Sequence, residues 1–278
     1  MATTPDRTEL VSNAQSVLRG GSGRETVRAL GRAGLVARGV VYGVIGVLAL
    51  KLALGSGGKT TSQSGALQTI AREPFGEVLL IALAIGLGAY ALWSVIDAVA
   101  GSPPDDDGAL KRRVSAIAGA IAYGALCLVA VKIVAGARAS SGSPRPAAAG
   151  ILGWTGGPVI VAIAGLVVLG VGLYQGYKGL SRTFLEDSDT ARMSQGARRA
   201  FTGLGLVGHV ARAVIFILIA YGLIKAAVTY SAKSAVGLDG ALQKLAHASA
   251  GPLLLGIVAV GFIAFALYSI ADARYHRV

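Results

Sequence analysis

A stretch that the chain repeats constrains its fold more than any other feature. GLVARGVVYGVIGVLALKLALG, at 34–55, is an apolar run with Arg38 near its start and Lys51 near its end. GHVARAVIFILIAYGLIKAA at 208–227 begins with the same spacing. A looser copy at 115–136 sets Tyr123, Gly124 and Lys132 where the first has Tyr42, Gly43 and Lys51. A loop and a second apolar run follow each copy. At one constant offset Tyr42, Lys51, Gly76 and Trp93 become Tyr123, Lys132, Gly157 and Tyr174. GALQTIA at 65–71 returns as GALQKLA at 240–246, and Gly76, Gly86, Ser94 and Asp97 return as Gly251, Gly261, Ser269 and Asp272. One such unit cannot bury its own apolar surface, so the stack of units is the fold.

Six apolar runs result, at roughly 35–54, 78–98, 114–135, 157–177, 206–228 and 252–271. Each is near the ~20 residues that cross ~30 Å of hydrocarbon. Long apolar runs satisfy their backbone in lipid as helices, not as the alternating strands of a barrel. The composition agrees: 54% of residues are hydrophobic and 14% charged, against about a quarter charged in soluble domains. The chain has 40 glycines, and glycine lets membrane helices approach closely. The net charge of +12 is carried by residues that flank the apolar runs, which points to membrane insertion and anionic headgroups instead of nucleic acid. With Cys127 as its one cysteine, the chain has no intramolecular disulfide and no cysteine-based zinc site. No apolar core precedes residue 34, so the first span is expected to serve as a retained insertion signal.

The expected architecture is an all-α membrane protein. Six transmembrane helices form three parallel tandem two-helix repeats with a pseudo-three-fold arrangement. A polar N-terminal segment (1–33) precedes repeat one (34–101) and repeat two (102–185). A linker (186–205) leads to repeat three and a short tail (206–278). GGSG at 20–23 reads as a flexible joint. An even number of spans per repeat keeps all units in one orientation, unlike the inverted repeats of many transporters. Lys and Arg are more numerous on the side that holds both termini, which places the termini in the cytoplasm and the protein in the plasma membrane. In the loops of repeats one and three, Leu67, Ile70 and Ala71 and their echoes Leu242, Leu245 and Ala246 have helical spacing, predicting a short interfacial helix. The matching segment of repeat two, SPRPAAAGILGWTGG, carries prolines that predict a different loop.

GLVARGVVYG, the lysines at 51, 132 and 225, and YALWSVIDA echoed as FALYSIADA resemble a bacterial membrane family, domain of unknown function 1206. Its unit is a pair of transmembrane helices, commonly present three times. The resemblance covers about residues 28–275 and implies fold and membrane location, with no activity. Repeat two departs from it: Gly119 stands for the Arg and Lys178 for the Asp.

The candidate functional residues are charges at the span ends. Arg38 and Arg212 lie one turn inside the cytoplasmic boundary, and Asp97 and Asp272 lie at the same level on the even helices. Arg–Asp pairs there offset the desolvation of both groups; the competing readings are snorkelling to headgroups and a functional gate. Lys51, Lys132 and Lys225 recur at the outer ends of the odd helices, either as snorkelling anchors or as a ring for an anion or lipid headgroup. Trp93, Tyr174 and Tyr268, with Tyr90, Tyr177 and Tyr275, suit an aromatic belt. GLGLVG at 203–208 spells a dinucleotide fingerprint but lacks a preceding strand and leads into a span. His209, His247 and His276 make no pair in facing spans, so no cofactor or metal is expected. No nucleophile stands beside a base. The expected function is therefore a non-enzymatic structural or accessory membrane protein that contacts lipids, a partner membrane protein or a second copy. The alternative is a small transporter or channel with a pathway between the repeats.

Overall fold

The computed structural model describes residues 21–56, 62–73, 76–100, 109–136 and 144–275. All regular elements among them are helices: α1 (Gly21–Ala53), α2 (Gln63–Ala71), α3 (Gly76–Ala100), α4 (Ala109–Val134), α5 (Arg145–Leu152), α6 (Gly157–Leu180), α7 (Gln195–Val228), α8 (Leu238–Ala246) and α9 (Gly251–Tyr275), with short 3-10 turns between some of them. α1, α3, α6, α7 and α9 are long and apolar enough to cross a membrane, and α4 contributes a shorter apolar stretch, Gly119–Val134. The chain is a multi-pass membrane protein.

α1 starts at Gly21, so the joint expected at 20–23 is replaced by helix from its second residue onward. The residues that follow it, RETVRALGRA, are mostly good helix formers and carry the helix back from the apolar run. α7 likewise starts well before its apolar run. Ser194 caps it, its hydroxyl accepting from the Ala197 amide at 3.3 Å.

The short helices α2 and α8 lie where helical spacing places them, with Ala66, Leu67 and Ile70, and Ala241, Leu242 and Leu245, buried. Repeat two has the equivalent helix α5, not the different loop expected from its prolines. Pro144 caps it and Pro146 falls in its first turn, where the amide that proline lacks has no partner in a helix anyway. Each short helix turns into the next long one by the same hydrogen bond. Gly76 N donates to Glu73 O at 2.8 Å, Gly157 N to Trp154 O at 2.9 Å, and Gly251 N to Ala248 O at 2.8 Å. A Cβ at any of these three glycines would strike the carbonyl at the end of the short helix: Ile70, Ile151 or Ala246.

The closest packing runs between repeats, not within them. α9 lies along α1, α3 along α4, and α6 along α7. Looser packing joins α1 to α3 and α7 to α9, and among the described residues no comparable packing joins α4 to α6. The between-repeat contacts use equivalent positions. A Cβ built on Gly43 would stand 3.5 Å from the Ala266 methyl, and one on Gly124 would stand 3.9 Å from the Ala91 methyl. At the α6–α7 seam the small residue changes sides: Gly172 faces Ile217, whose amide nitrogen is 3.2 Å from the built Cβ. Ile45, Leu67, Leu87, Phe262 and Phe265 are fully buried between the helices. The outward faces of α3, α6 and α9 carry Ile85, Leu166, Val167, Ile257 and Val260, exposed for lipid.

Candidate functional site

The most polar part of the interior lies one turn inside the end of the bundle where α1 begins and α9 ends, here called the arginine end. Arg38 enters it because it follows the apolar seam of α1 against α9. Its Nε donates to Ser269 Oγ at 3.2 Å, and a terminal nitrogen stands 3.9 Å from Asp272 Oδ2. Asp272 is buried and also accepts from Ser188 Oγ at 2.8 Å. The guanidinium carbon lies 5.1 Å from the centre of the Phe265 ring. Arg212 lies closer to that ring, at 4.4 Å, and also faces Tyr42 at 5.2 Å and Phe216 at 5.6 Å. These distances are in the range of cation–π attraction, which strengthens as water is excluded.

Arg212 has no carboxylate partner among the described residues. With its amide oxygen turned to the guanidinium, Gln175 of α6 accepts from both terminal nitrogens of Arg212 at 2.9 and 3.0 Å. The Arg212 Nε is buried without a hydrogen-bond partner. Tyr90 of α3 and Tyr123 of α4 pack edge to face with ring centres 4.5 Å apart, and Tyr90 lies against Gly34 of α1, one turn from Arg38. The cluster therefore draws on all six long helices.

The repeats explain the arrangement. The position of Arg38 is held by Gly119 and Arg212 in repeats two and three, and that of Ser269 by Ser94 and Gln175. Each odd-helix residue meets the even helix of the preceding repeat: Arg38 meets Ser269, Arg212 meets Gln175, and a Cβ on Gly119 would stand 3.3 Å from Ser94 Oγ. Of the four charges predicted to pair, the structure brings Arg38 and Asp272 together. The even helix that faces Arg212 has Lys178 where the others have Asp, and Lys178 turns to Asp187 at 2.7 Å. Asp97 falls within α3, and its side chain lies outside the described residues.

Two parts of the site were not expected. The connector after α6 is anchored by Phe184, at the end of the expected repeat two: Phe184 is fully buried, stacked on His209 at 5.1 Å and set edge-on to Tyr268 at 5.3 Å. Beyond it, Ser188 holds Asp272 and the Asp189 amide donates to Tyr275 O at 2.7 Å. The lone phenylalanine in this polar segment was the available signal. Tyr268 and Tyr90 also depart from the aromatic belt assigned to them. Tyr268 is buried against Phe201, Phe184 and His209, and Tyr90 packs on Trp93 and Tyr123. Tyr174 and Tyr177 are exposed on the lipid face, as a belt requires.

Lys51, Lys132 and Lys225 are all exposed, near the C-terminal ends of their helices and opposite the arginine end. Lys225 lies 6.0 Å from the Tyr221 ring centre. It also lies near Lys244 of α8, whose pKa is lowered by partial burial first, then by the like charges of Lys225 and Arg145.

The family model described as Domain of Unknown Function (DUF1206) matches the chain three times in tandem, over residues 33–101, 114–182 and 207–276. The chain is 32% identical over 254 residues to the uncharacterised protein YxxB of Bacillus subtilis (strain 168), an alignment covering 91% of this chain and 92% of that protein. No solved structure matches. Three tandem matches that coincide with the three helix pairs, and a relative aligned along nearly its whole length, place this chain in the DUF1206 family.

Proposed function

We propose that the protein is a non-enzymatic accessory component of the bacterial plasma membrane. It is a six-helix bundle with pseudo-three-fold order, its arginine end and both termini in the cytoplasm, and it acts by contacting lipids, a partner membrane protein or a second copy. The observation that carries this reading is the filled interior. Tyr42, Ile45, Phe262 and Phe265 occupy the space between the helices, and Tyr42 meets Phe262 and Phe265 with ring centres 5.5 and 5.0 Å apart. A conducting pathway needs a wetted, polar-lined route, and aromatic packing of this density opposes one. The pseudo-three-fold order draws support from the equivalent seams at Gly43, Gly124 and Gly172. The test is flux. Purified protein in sealed liposomes should pass ions and small solutes no faster than empty liposomes, and protein-dependent flux would overturn the reading.

One observation favours a small transporter or channel with its pathway between the repeats. Arg38 and Arg212 flank one ring, Phe265, and among the described residues only Arg38 has a carboxylate partner, Asp272. A buried excess of positive charge is what an anion-selective constriction would use. Under that reading Arg212→Ala abolishes a flux that the wild type displays.

A further inference from the structure

At the arginine end, a cavity of about 530 Å³ opens between the end of α6 and the start of α7, lined by Arg182, Gln195, Arg198, Arg199, Thr202, Gly203 and Leu206. The α7 residues form one stripe at helical spacing that descends from polar to apolar: Gln195, then Arg198 and Arg199, then Thr202 and Gly203, then Leu206. A Cβ on Gly203 would meet nothing within 4 Å, so the floor of the cavity is open. Arg182 closes the other side from just beyond the end of α6. It holds a left-handed conformation, φ 59°, at a position where glycine is the usual residue. None of the three guanidiniums has an ion-pair or hydrogen-bond partner among the described residues, and all three residues are exposed. The nearby acid Asp187 is taken by Lys178. Beside the cavity the surface turns apolar, with Leu180, Tyr177 and Val207 exposed.

We propose that this cavity binds the phosphodiester headgroup of an anionic phospholipid. Arg182, Arg198 and Arg199 hold the phosphate, Gln195 and Thr202 face the polar headgroup, and the acyl chains lie along Gly203, Leu206, Leu180 and Val207. Guanidinium groups match phosphate oxygens with paired donors, which a single ammonium does not do. An apolar flank continuous with the lipid face selects a lipid over a soluble phosphate, because only the lipid fills both halves of the site. This deepens the accessory reading above by naming the lipid class.

The test is native mass spectrometry of the full chain in neutral detergent, titrated with phosphatidylglycerol, phosphatidylcholine or inorganic phosphate. Three proteins are compared: the wild type, the triple variant Arg182→Gln/Arg198→Gln/Arg199→Gln, and a charge-matched triple variant Arg72→Gln/Lys233→Gln/Lys244→Gln at exposed bases of the opposite end. The wild type should retain phosphatidylglycerol over phosphatidylcholine. The arginine triple variant should lose that affinity on the order of a hundredfold, and each single Arg→Gln variant about fivefold, at about 1 kcal/mol per cation. The single variants decide the matter if the triple variant does not fold. Equal loss in the two triple variants overturns the site in favour of general charge. Displacement of the lipid by an equal concentration of inorganic phosphate overturns the lipid assignment in favour of a soluble anion. Flux through liposomes would defeat the accessory reading and leave these affinities as they are, so the two failures are distinguishable.

Discussion

The Arg38 guanidinium of the first repeat meets the Asp272 carboxylate of the third at 3.9 Å, with Ser269 accepting from Nε between them. This pair ties the beginning of the bundle to its end. Removing one partner leaves a buried charge uncompensated, which costs about 3–5 kcal/mol. Arg38→Leu and Asp272→Leu should each lower the melting temperature in detergent far more than Arg72→Ala, since Arg72 is exposed. The double variant Arg38→Leu/Asp272→Leu should recover much of the loss. A double-mutant cycle by thermal unfolding reads the coupling, and additive losses would remove the pair from the account.

Glycines in this chain divide by what a methyl group would meet. At Gly165 a Cβ would lie 2.7 Å from the Ile224 side chain and 3.1 Å from its backbone nitrogen, and at Gly170 it would meet nothing. Gly170→Ala should therefore leave stability unchanged or raise it by up to about 1 kcal/mol, from helix propensity. Gly165→Ala should lower it by about 1–3 kcal/mol, because the α6–α7 seam must open. Unfolding in detergent measures both, and a stabilising Gly165→Ala would show that the seam is looser than drawn.

Cys127 reports on the α3–α4 seam. Its thiol donates to Ala84 O at 3.3 Å, and a Cβ on Gly88 would stand 3.1 Å from its sulfur. Maleimide labelling of the native protein should be slow and should accelerate at least tenfold once unfolding opens the seam. Fast labelling of the folded protein would place α4 away from α3.

Lys244 gives a pH dependence at the end of the bundle opposite the arginine cluster. Its folded pKa lies below the ordinary value of 10.5, so its charged form is disfavoured in the folded state by burial and by Lys225 and Arg145. Below the folded pKa both states are protonated and the full penalty applies. As pH rises from there towards 10.5 the unfolded chain binds more protons than the folded one, so this group makes stability rise with pH. Lys244→Gln should remove that alkaline rise and stabilise the protein slightly at neutral pH. Thermal melts of both proteins across the alkaline range check the sign.

How much of this was legible in the sequence follows from which interactions are local. Repeat register, apolar runs of membrane length and the short helices at 63–71 and 238–246 are carried by residues close in the chain, and periodicity reports them. α5 departs from the expected loop because its prolines fall at the cap and in the first turn, where the missing amide costs nothing. The site was half legible. Arg38 and Asp272 were recognisable as recurring charges, but their meeting depends on each odd helix packing against the even helix of the preceding repeat.

The sequence by itself determined that this is an all-helical, three-repeat membrane protein, because repetition and hydropathy are properties of the chain alone. Only the tertiary structure decided which charge meets which. Repeat two has Gly119 at the Arg position and Lys178 at the Asp position, and because partners come from neighbouring repeats, these two residues fall in different seams. Gly119 lies against Ser94, and Arg212 turns to Gln175. The folded position of Phe184 was likewise settled only in three dimensions. A lone aromatic in a polar connector finds its apolar surroundings, His209 and Tyr268, on helices distant in sequence.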